Sequence, residues 1–366
     1  MKITVLTSSR SDYSIYLPLL KALKEEPEIE IDLIAFGTHL SKKYGNTVNS
    51  IIEDGFQVSH MVDTLPEGDS PFNISEAIGN CIIKFSKIWE DDTTDLIIAL
   101  GDRYEMFAAC SASLPFGKKI AHIHGGETTK GAIDDFFRNS ISLLAQVHFV
   151  TTNEYREKVI SVIGNSENVY NVGALSIDNL KNLNLLTIES FQKKYSIDLS
   201  KPSILITFHP ETVDFEKNEL NCLELISALN KTSGYQFIIT MPNSDTMGLK
   251  IRELLNEFIL SNVNAIAIES FGTIGYLSCM KHCSFMLGNT SSGFVEASFF
   301  PKYVINLGNR QNGRIVTENM RNCPINSDAI KKVIDNFHSL QLPDQILTYG
   351  NGTAANQIVS ILKNLY

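Results

Sequence analysis

Residues 285–314, FMLGNTSSGFVEASFFPKYVINLGNRQNGR, decide how the chain is read. The apolar run at 285–287 has the composition of a buried strand. It runs into Gly288-Asn289-Thr290-Ser291-Ser292-Gly293, a helix-like pattern follows, and a second apolar run at 303–307 leads to a turn carrying Arg310 and Arg314. Strand, small-residue turn and helix is an arrangement with which α/β proteins hold phosphate. Glycine admits the backbone, hydroxyls and N–H groups donate, and the positive end of the helix faces the anion. Glu296 falls in the first helical turn, where a carboxylate accepts from ribose hydroxyls. The plainer reading is an ordinary βα turn with Ser and Thr as helix caps, and the segment alone leaves both readings open.

Working outward, the same alternation fills the chain. Strand-like runs lie at 3–6, 31–36, 96–100, 119–123 and 148–151, then at 203–207, 236–240, 265–268, 285–287 and 303–307. Helical periodicity separates them. The first helix carries Ile15, Leu19, Ala22 and Leu23, and Pro18 places that position within its first turn or two. An irregular stretch at 62–73 precedes a helix with Ile78, Ile82 and Phe85, and later helices fall near 215–230, 247–260, 273–281 and 293–299. This rhythm predicts an α/β protein of two Rossmann-like, doubly wound domains facing a cleft. The expected boundaries are 1–170 and 171–350, with a hinge near 171–176. Ile358, Ile361, Leu362 and Leu365 mark a last helix within 351–366 that packs back on the first domain.

The formal charge of −10 argues against nucleic acid or an anionic membrane as partner. An anionic small molecule then needs local cations, and Arg10, Arg103, Arg138 and Arg310 each follow an apolar run or a turn. The six cysteines form no CxxC pair and read as buried free thiols. Cys279, His282 and Cys283 lack a second ligand pair, so no metal is expected. No apolar run approaches the ~18–20 residues that span a bilayer, and a cytoplasmic protein is expected.

Ligands of open α/β sheets bind beyond the carboxyl ends of the strands, and the polar motifs fall there. Asp102 ends a buried strand, where partial desolvation suits a carboxylate to proton transfer; it also reads as a helix cap. His122 and His124 alternate at a strand end and so share a face, open to metal binding, titration or hydrogen bonding. Without a third ligand nearby, hydrogen bonding is favoured. Asp134 and Arg138 sit at i, i+4 on one helix face, as substrate contacts or an internal ion pair. His209 follows the strand at 203–207, and Asn243 follows the one at 236–240.

These motifs carry a resemblance. SSRSDYS at 8–14, GTHLSKKYGNT at 37–47, GDRYE at 101–105, HIHGGETTKGAIDD at 122–135, TFHPET at 207–212, PNSD at 242–245, GNTSSGFVEA at 288–297 and NLGNRQNGR at 306–314 occur in order over nearly the whole chain. Together they resemble the hydrolysing nucleotide-sugar 2-epimerases, exemplified by the UDP-N-acetylglucosamine 2-epimerase of sialic and legionaminic acid biosynthesis. The resemblance implies a GT-B fold, no cofactor, a nucleotide-sugar substrate and a homodimer or homotetramer. It implies conversion of UDP-N-acetylglucosamine to N-acetylmannosamine and UDP, by anti elimination to a 2-acetamidoglucal and addition of water. UDP-N,N′-diacetylbacillosamine is the alternative substrate. By the same resemblance Asp102 and Asp134 are acid/base carboxylates, with Arg138 a neighbouring substrate contact. His209 serves catalysis or the leaving group. Arg10, Ser14, His39 and Arg103 contact substrate, as does Asn243. Ser291, Ser292 and Gly293 form the phosphate turn, Glu296 meets the ribose and Arg310 the diphosphate.

Two positions depart from the family pattern. Several members have Glu where this chain has His124, so either His124 or Glu127 takes the proton-transfer role. Asn139 stands where members often have His and cannot titrate. A GT-B glycosyltransferase, a non-hydrolysing epimerase and a non-catalytic nucleotide-sugar sensor are the competing readings. The number of candidate proton-transfer groups argues against the first, and the HxHGGE and SSG segments favour the hydrolysing branch over the second.

Overall fold

The ten apolar runs all become strands in the computed structural model, which describes residues 1–66, 68, 70–130, 133–211, 215–242, 248–300, 302–336 and 346–365. The first sheet contains β1 (Lys2–Thr7), β2 (Glu30–Phe36), β3 (His60–Val62), β4 (Leu96–Leu100), β5 (Ile120–Ile123), β6 (Val147–Val150) and β7 (Val169–Asn171). The second contains β8 (Ser203–Thr207), β9 (Gln236–Thr240), β10 (Ala265–Ile268), β11 (Phe285–Gly288), β12 (Val304–Leu307) and β13 (Met320–Cys323). Their orders are β3-β2-β1-β4-β5-β6-β7 and β10-β9-β8-β11-β12-β13, and every strand pairing is parallel.

Parallel strands need crossover helices, and these cover both faces of each sheet. The central strands LIIAL and SILIT are accordingly buried at every position. Alternation divides β4 between two cores: Leu96 and Ile98 face one with Leu33 and Phe149, while Ile97 and Ala99 face the other with Phe36, Phe85 and Trp89. In each sheet the chain reverses its direction of winding beside the first strand, between β1 and β4 and again between β8 and β11. That reversal opens a crevice at the carboxyl ends of the strands.

Three strands lie outside the ten runs. β3, β7 and β13 are all edge strands of three or four residues. His60, Asn171, Arg321 and Asn322 are exposed in them, so no continuous apolar run marks them, as is usual at sheet edges. The stretch expected to be irregular is ordered in part: β3 reaches Val62, and a helix begins at Pro71 with Ser70 accepting from the Asn73 N–H at 3.2 Å. The six cysteines are buried free thiols. No helix among the described residues is long and apolar enough to cross a membrane.

Packing divides the chain into two compact units, Met1–Glu127 with Ile133–Asn182 and Tyr349–Tyr366, and Thr128–Ala132 with Leu183–Thr348. Residues 171–182, expected in the second domain, thus belong to the first unit. Two hydrogen-bonding demands put them there. Pro18 is not near the start of its helix but is the ninth residue of Arg10–Lys24. Lacking an N–H, it leaves the Ser14 carbonyl without its helical donor. Asn179 supplies one, its Nδ2 donating to that carbonyl at 2.6 Å. The adjacent Asp178 accepts from the Ala354 and Ala355 N–H groups at 3.0 and 3.1 Å, capping the last helix, Ala354–Leu365. Ile358, Val359 and Leu362 of that helix enter the core of the first unit.

Asn179→Ala is therefore expected to lower stability by about 1 kcal/mol, the usual consequence of a partly buried carbonyl losing a donor. Urea unfolding measures it; an unchanged midpoint would mean that the Ser14 carbonyl needs no such donor.

Candidate active site

At the carboxyl end of β1 the chain turns directly into a helix. Ser9 is the N-cap, and Asp12 reaches back, accepting from the Ser8 N–H at 2.9 Å, the Ser8 hydroxyl at 2.6 Å and the Ser9 hydroxyl at 2.9 Å. Asp12 is consumed by this cap, in the manner of a capping box. Arg10 and Ser14 follow on the first turns, both half-buried. His39, expected among the substrate contacts, is fully buried. Its Nε2 lies 2.9 Å from the Thr7 hydroxyl and its Nδ1 2.8 Å from that of Thr47. Burial pushes its pKa down to about 4, so it is a neutral ring that ties the end of β1 to the turn after β2.

The ends of β4 and β5 meet around one guanidinium. Arg138, on the helix Asp134–Leu144, is 2% exposed. Its Nη2 pairs with Asp102 Oδ2, its Nη1 donates to the His124 carbonyl at 2.9 Å, and Nη1 lies 3.7 Å from Glu127 Oε2. Glu127 Oε1 is 3.1 Å from His124 Nδ1 and accepts from the Thr151 hydroxyl at 3.3 Å. Asp102, His124, Glu127 and Arg138 are thus brought together. Asp134 starts the helix that carries Arg138 and is half-buried.

The backbone at this turn is unusual. His124 has φ +66°, a left-handed conformation that disfavours a side chain. Gly126 has φ +78°, and a Cβ there would lie 2.3 Å from the Tyr155 carbonyl, so only glycine fits.

His122 and His124 were expected to share a face. β5 ends at Ile123, however, and the left-handed turn at His124 breaks the alternation. His122 instead donates from Nε2 to the Gly101 carbonyl at 2.8 Å and accepts at Nδ1 from Ser142 Oγ at 2.9 Å. Burial lowers its pKa to about 3, so it is a neutral strut behind the backbone preceding Asp102. Arg103 forms a fork on buried Glu105, with Nε at 3.2 Å and Nη2 at 2.9 Å.

In the second unit the switch between β8 and β11 is held by an amide. Asn289 is fully buried; its Oδ1 accepts from the His209 N–H at 2.7 Å and its Nδ2 donates to the His209 carbonyl at 2.8 Å. The Asn289 carbonyl accepts from Gln311 Nε2 at 2.8 Å and Arg310 Nη1 at 3.4 Å, and Arg310 Nε donates to the Pro210 carbonyl at 3.2 Å. Gly288, at φ +142°, would place a Cβ 2.0 Å from the Thr207 carbonyl, which makes glycine obligatory beside β8. Thr290 caps the three-residue 3₁₀ turn Ser291–Gly293, and the Ser292 hydroxyl lies 2.5 Å from that of Tyr276.

The helix expected at 293–299 is only Glu296–Phe299. Phe300, which precedes Pro301 in the sequence, is already extended. So short a helix has little dipole to offer an anion. Asn243 lies outside the described residues. Thr151, Ser142, Asn289, Gln311 and Tyr276 escaped the sequence reading, because each acts on a partner that spacing does not reveal. Among the described residues no group of three or more His, Cys, Asp or Glu side chains is placed to hold a metal ion.

The family model described as UDP-N-acetylglucosamine 2-epimerase matches residues 21–363. The chain is 30% identical over 364 residues to the UDP-N,N′-diacetylbacillosamine 2-epimerase (hydrolyzing) of Legionella pneumophila, covering all of this chain and 96% of that one. It is 32% identical over 326 residues to the GDP/UDP-N,N′-diacetylbacillosamine 2-epimerase (hydrolyzing) of Campylobacter jejuni, covering 89% and 85%. The crystal structure of the UDP-GlcNAc 2-epimerase from Neisseria meningitidis bound to UDP-GlcNAc superposes with a TM-score of 0.82 at 19% identity, with both chains fully covered. With the two parallel sheets, that likeness shows the GT-B-type fold.

Arg138→Met should be costly out of proportion to its size, because it leaves buried Glu127 and half-buried Asp102 without their cation. A loss of about 3–5 kcal/mol is expected, read by chemical denaturation. A loss below about 1 kcal/mol would show that the carboxylates are stabilised without it.

Proposed function

We infer the reaction from one premise: the chain belongs to the UDP-N-acetylglucosamine 2-epimerase family. It is an enzyme of that family, and we propose that it is a hydrolysing one, releasing UDP and a free 2-acetamido sugar inverted at C2. The observation that carries this reading is the cluster around Arg138, which holds two carboxylates and a histidine at one strand-end crevice.

The chemistry explains why so many such groups are useful. The C2–H of an unactivated sugar is a very weak acid. The proton leaves only as the C1–O bond breaks, so the transition state has cationic character at C1 and growing charge on the diphosphate. A base near C2 and donors at the phosphates are both required. We assign the first to the cluster of Asp102, His124 and Glu127, with Asp134 nearby in sequence. The second falls to the turn Ser291–Gly293 with Arg310 and His209. Glu296 is the proposed ribose ligand, and Arg10, Ser14, Arg103, Arg138 and Asn243 the further substrate contacts. His39 is proposed to act at one remove, by fixing the turn after β2.

Anti elimination gives a 2-acetamidoglucal, and water then adds across it. Inversion requires that the proton leave C2 from one face and return on the other. Two proton-transfer groups are therefore needed, which favours this reading over a glycosyltransferase. For the sugar, the names of the relatives at 30% and 32% identity favour UDP-N,N′-diacetylbacillosamine over UDP-N-acetylglucosamine; the two differ at C4 and C6.

A proton NMR time course in D₂O with both nucleotide sugars, in separate tubes, tests the reading. Free UDP and a 2-epimeric sugar carrying deuterium at C2 are expected, faster with the diacetylated substrate. Release of a sugar neither inverted nor labelled at C2 would exclude an epimerase, and equal kcat/KM for the two would remove the preference.

A further inference from the structure

We propose that His124, through Nε2, is the base that removes the C2 proton, and that Glu127 is a positioning residue that holds the ring rather than reacting itself. This deepens the reaction proposed above and rests on it. Sequence leaves the two residues as equals; their surroundings do not.

Glu127 is 5% exposed and both its oxygens are engaged. Oε1 meets His124 Nδ1 at 3.1 Å and the Thr151 hydroxyl at 3.3 Å, while Oε2 lies 3.7 Å from Arg138 Nη1. A carboxylate so placed is an anchor. Being an acceptor only, it requires that the hydrogen of a neutral His124 ring sit on Nδ1. Nε2 then carries the lone pair.

That nitrogen is buried and has no hydrogen-bond partner among the described residues. A buried polar atom without a partner destabilises the fold, and one retained in a native structure calls for a reason such as a catalytic role. The substrate C2–H is the partner proposed here. The ring is also directed at some cost in backbone strain. His124 holds φ +66°, with its N–H on the Phe149 carbonyl at 2.9 Å and its own carbonyl on Arg138 Nη1 at 2.9 Å. Backbone pinned on both sides in a disfavoured conformation fixes where the side chain projects.

The step balances as follows. Nε2 takes the C2 proton, the C2–H electron pair becomes the second bond of C1=C2, and the C1–O pair leaves with the nucleoside diphosphate. The imidazolium so formed lies against the Glu127 carboxylate. His124 cannot also return its proton to C2 from the same face, since that would restore the starting configuration. A second group, on the opposite face, must do so.

His124→Gly is the informative variant, because glycine accepts φ +66° without strain and the loss of the ring is isolated from any backbone effect. With the nucleotide sugar that the wild type turns over, kcat should fall by about 10²–10⁴-fold with little change in KM, and added imidazole should restore part of it. Glu127→Gln should lower kcat by less and leave KM unaltered. In parallel, ¹⁵N-detected imidazole spectra of the wild type should place the proton of the neutral form of His124 on Nδ1, and Glu127→Gln should mix the tautomers. Near-normal kcat in His124→Gly, or a loss there that imidazole does not restore, would overturn the assignment. So would a wild-type ring protonated on Nε2 alone, a reading that needs no turnover and stands even if no substrate is epimerised. Wild-type enzyme that releases no inverted sugar would count against the reaction instead.

Discussion

Arg138 carries a full charge in the interior of the first unit, and much else there is arranged around it. An ionised guanidinium is tolerated in a low-dielectric core only if carboxylates and carbonyls surround it. Those groups come from separate elements: Asp102 from the end of β4, and Glu127 and the His124 carbonyl from the turn after β5. The planar fork of arginine lets one side chain reach all three, which a lysine ammonium on a flexible stem does not do in the same way. The requirement to neutralise one charge therefore draws together residues 36 positions apart in sequence. The groups proposed to react are positioned by the same forces that keep the core stable.

The switch point of the second unit is organised by side-chain amides. Neutral amides grip main chain there: Asn289 holds His209 at both its N–H and its carbonyl, and Gln311 holds Asn289. Arg310 donates to the carbonyl oxygens of Pro210 and Asn289. That difference suits the proposed division of labour. Proton transfer asks for acids and bases at fixed separation, whereas a diphosphate asks for N–H groups, hydroxyls and positive charge.

The central strands are legible in the sequence because both their faces are buried, so each reads as an unbroken apolar run. β3, β7 and β13 are not, since an edge strand needs no such run. Pro18 misleads for a related reason: a proline is disfavoured inside a helix unless something replaces the missing donor, and the replacement, Asn179, lies 165 residues from the carbonyl it serves. Motif position places Asp102, His124, Glu127 and His209 just beyond strand ends, but does not reveal the contacts each of them makes. His39 reads as a substrate contact, and the sequence does not reveal that both its nitrogens lie on threonine hydroxyls. His122 and His124 look equivalent until the left-handed turn separates them. The choice between His124 and Glu127 depends on Thr151 and Arg138, and neither the alternation of a strand nor a local motif reports such contacts.

The most direct test of the whole account is the fate of oxygen when the enzyme works in H₂¹⁸O. If the leaving group departs by C1–O cleavage, with loss of the C2 proton as that bond breaks, mass spectrometry of the released UDP will show no ¹⁸O at any conversion. UDP carrying one ¹⁸O would mean that water attacks phosphorus, and would contradict the elimination on which the roles proposed for both units rest.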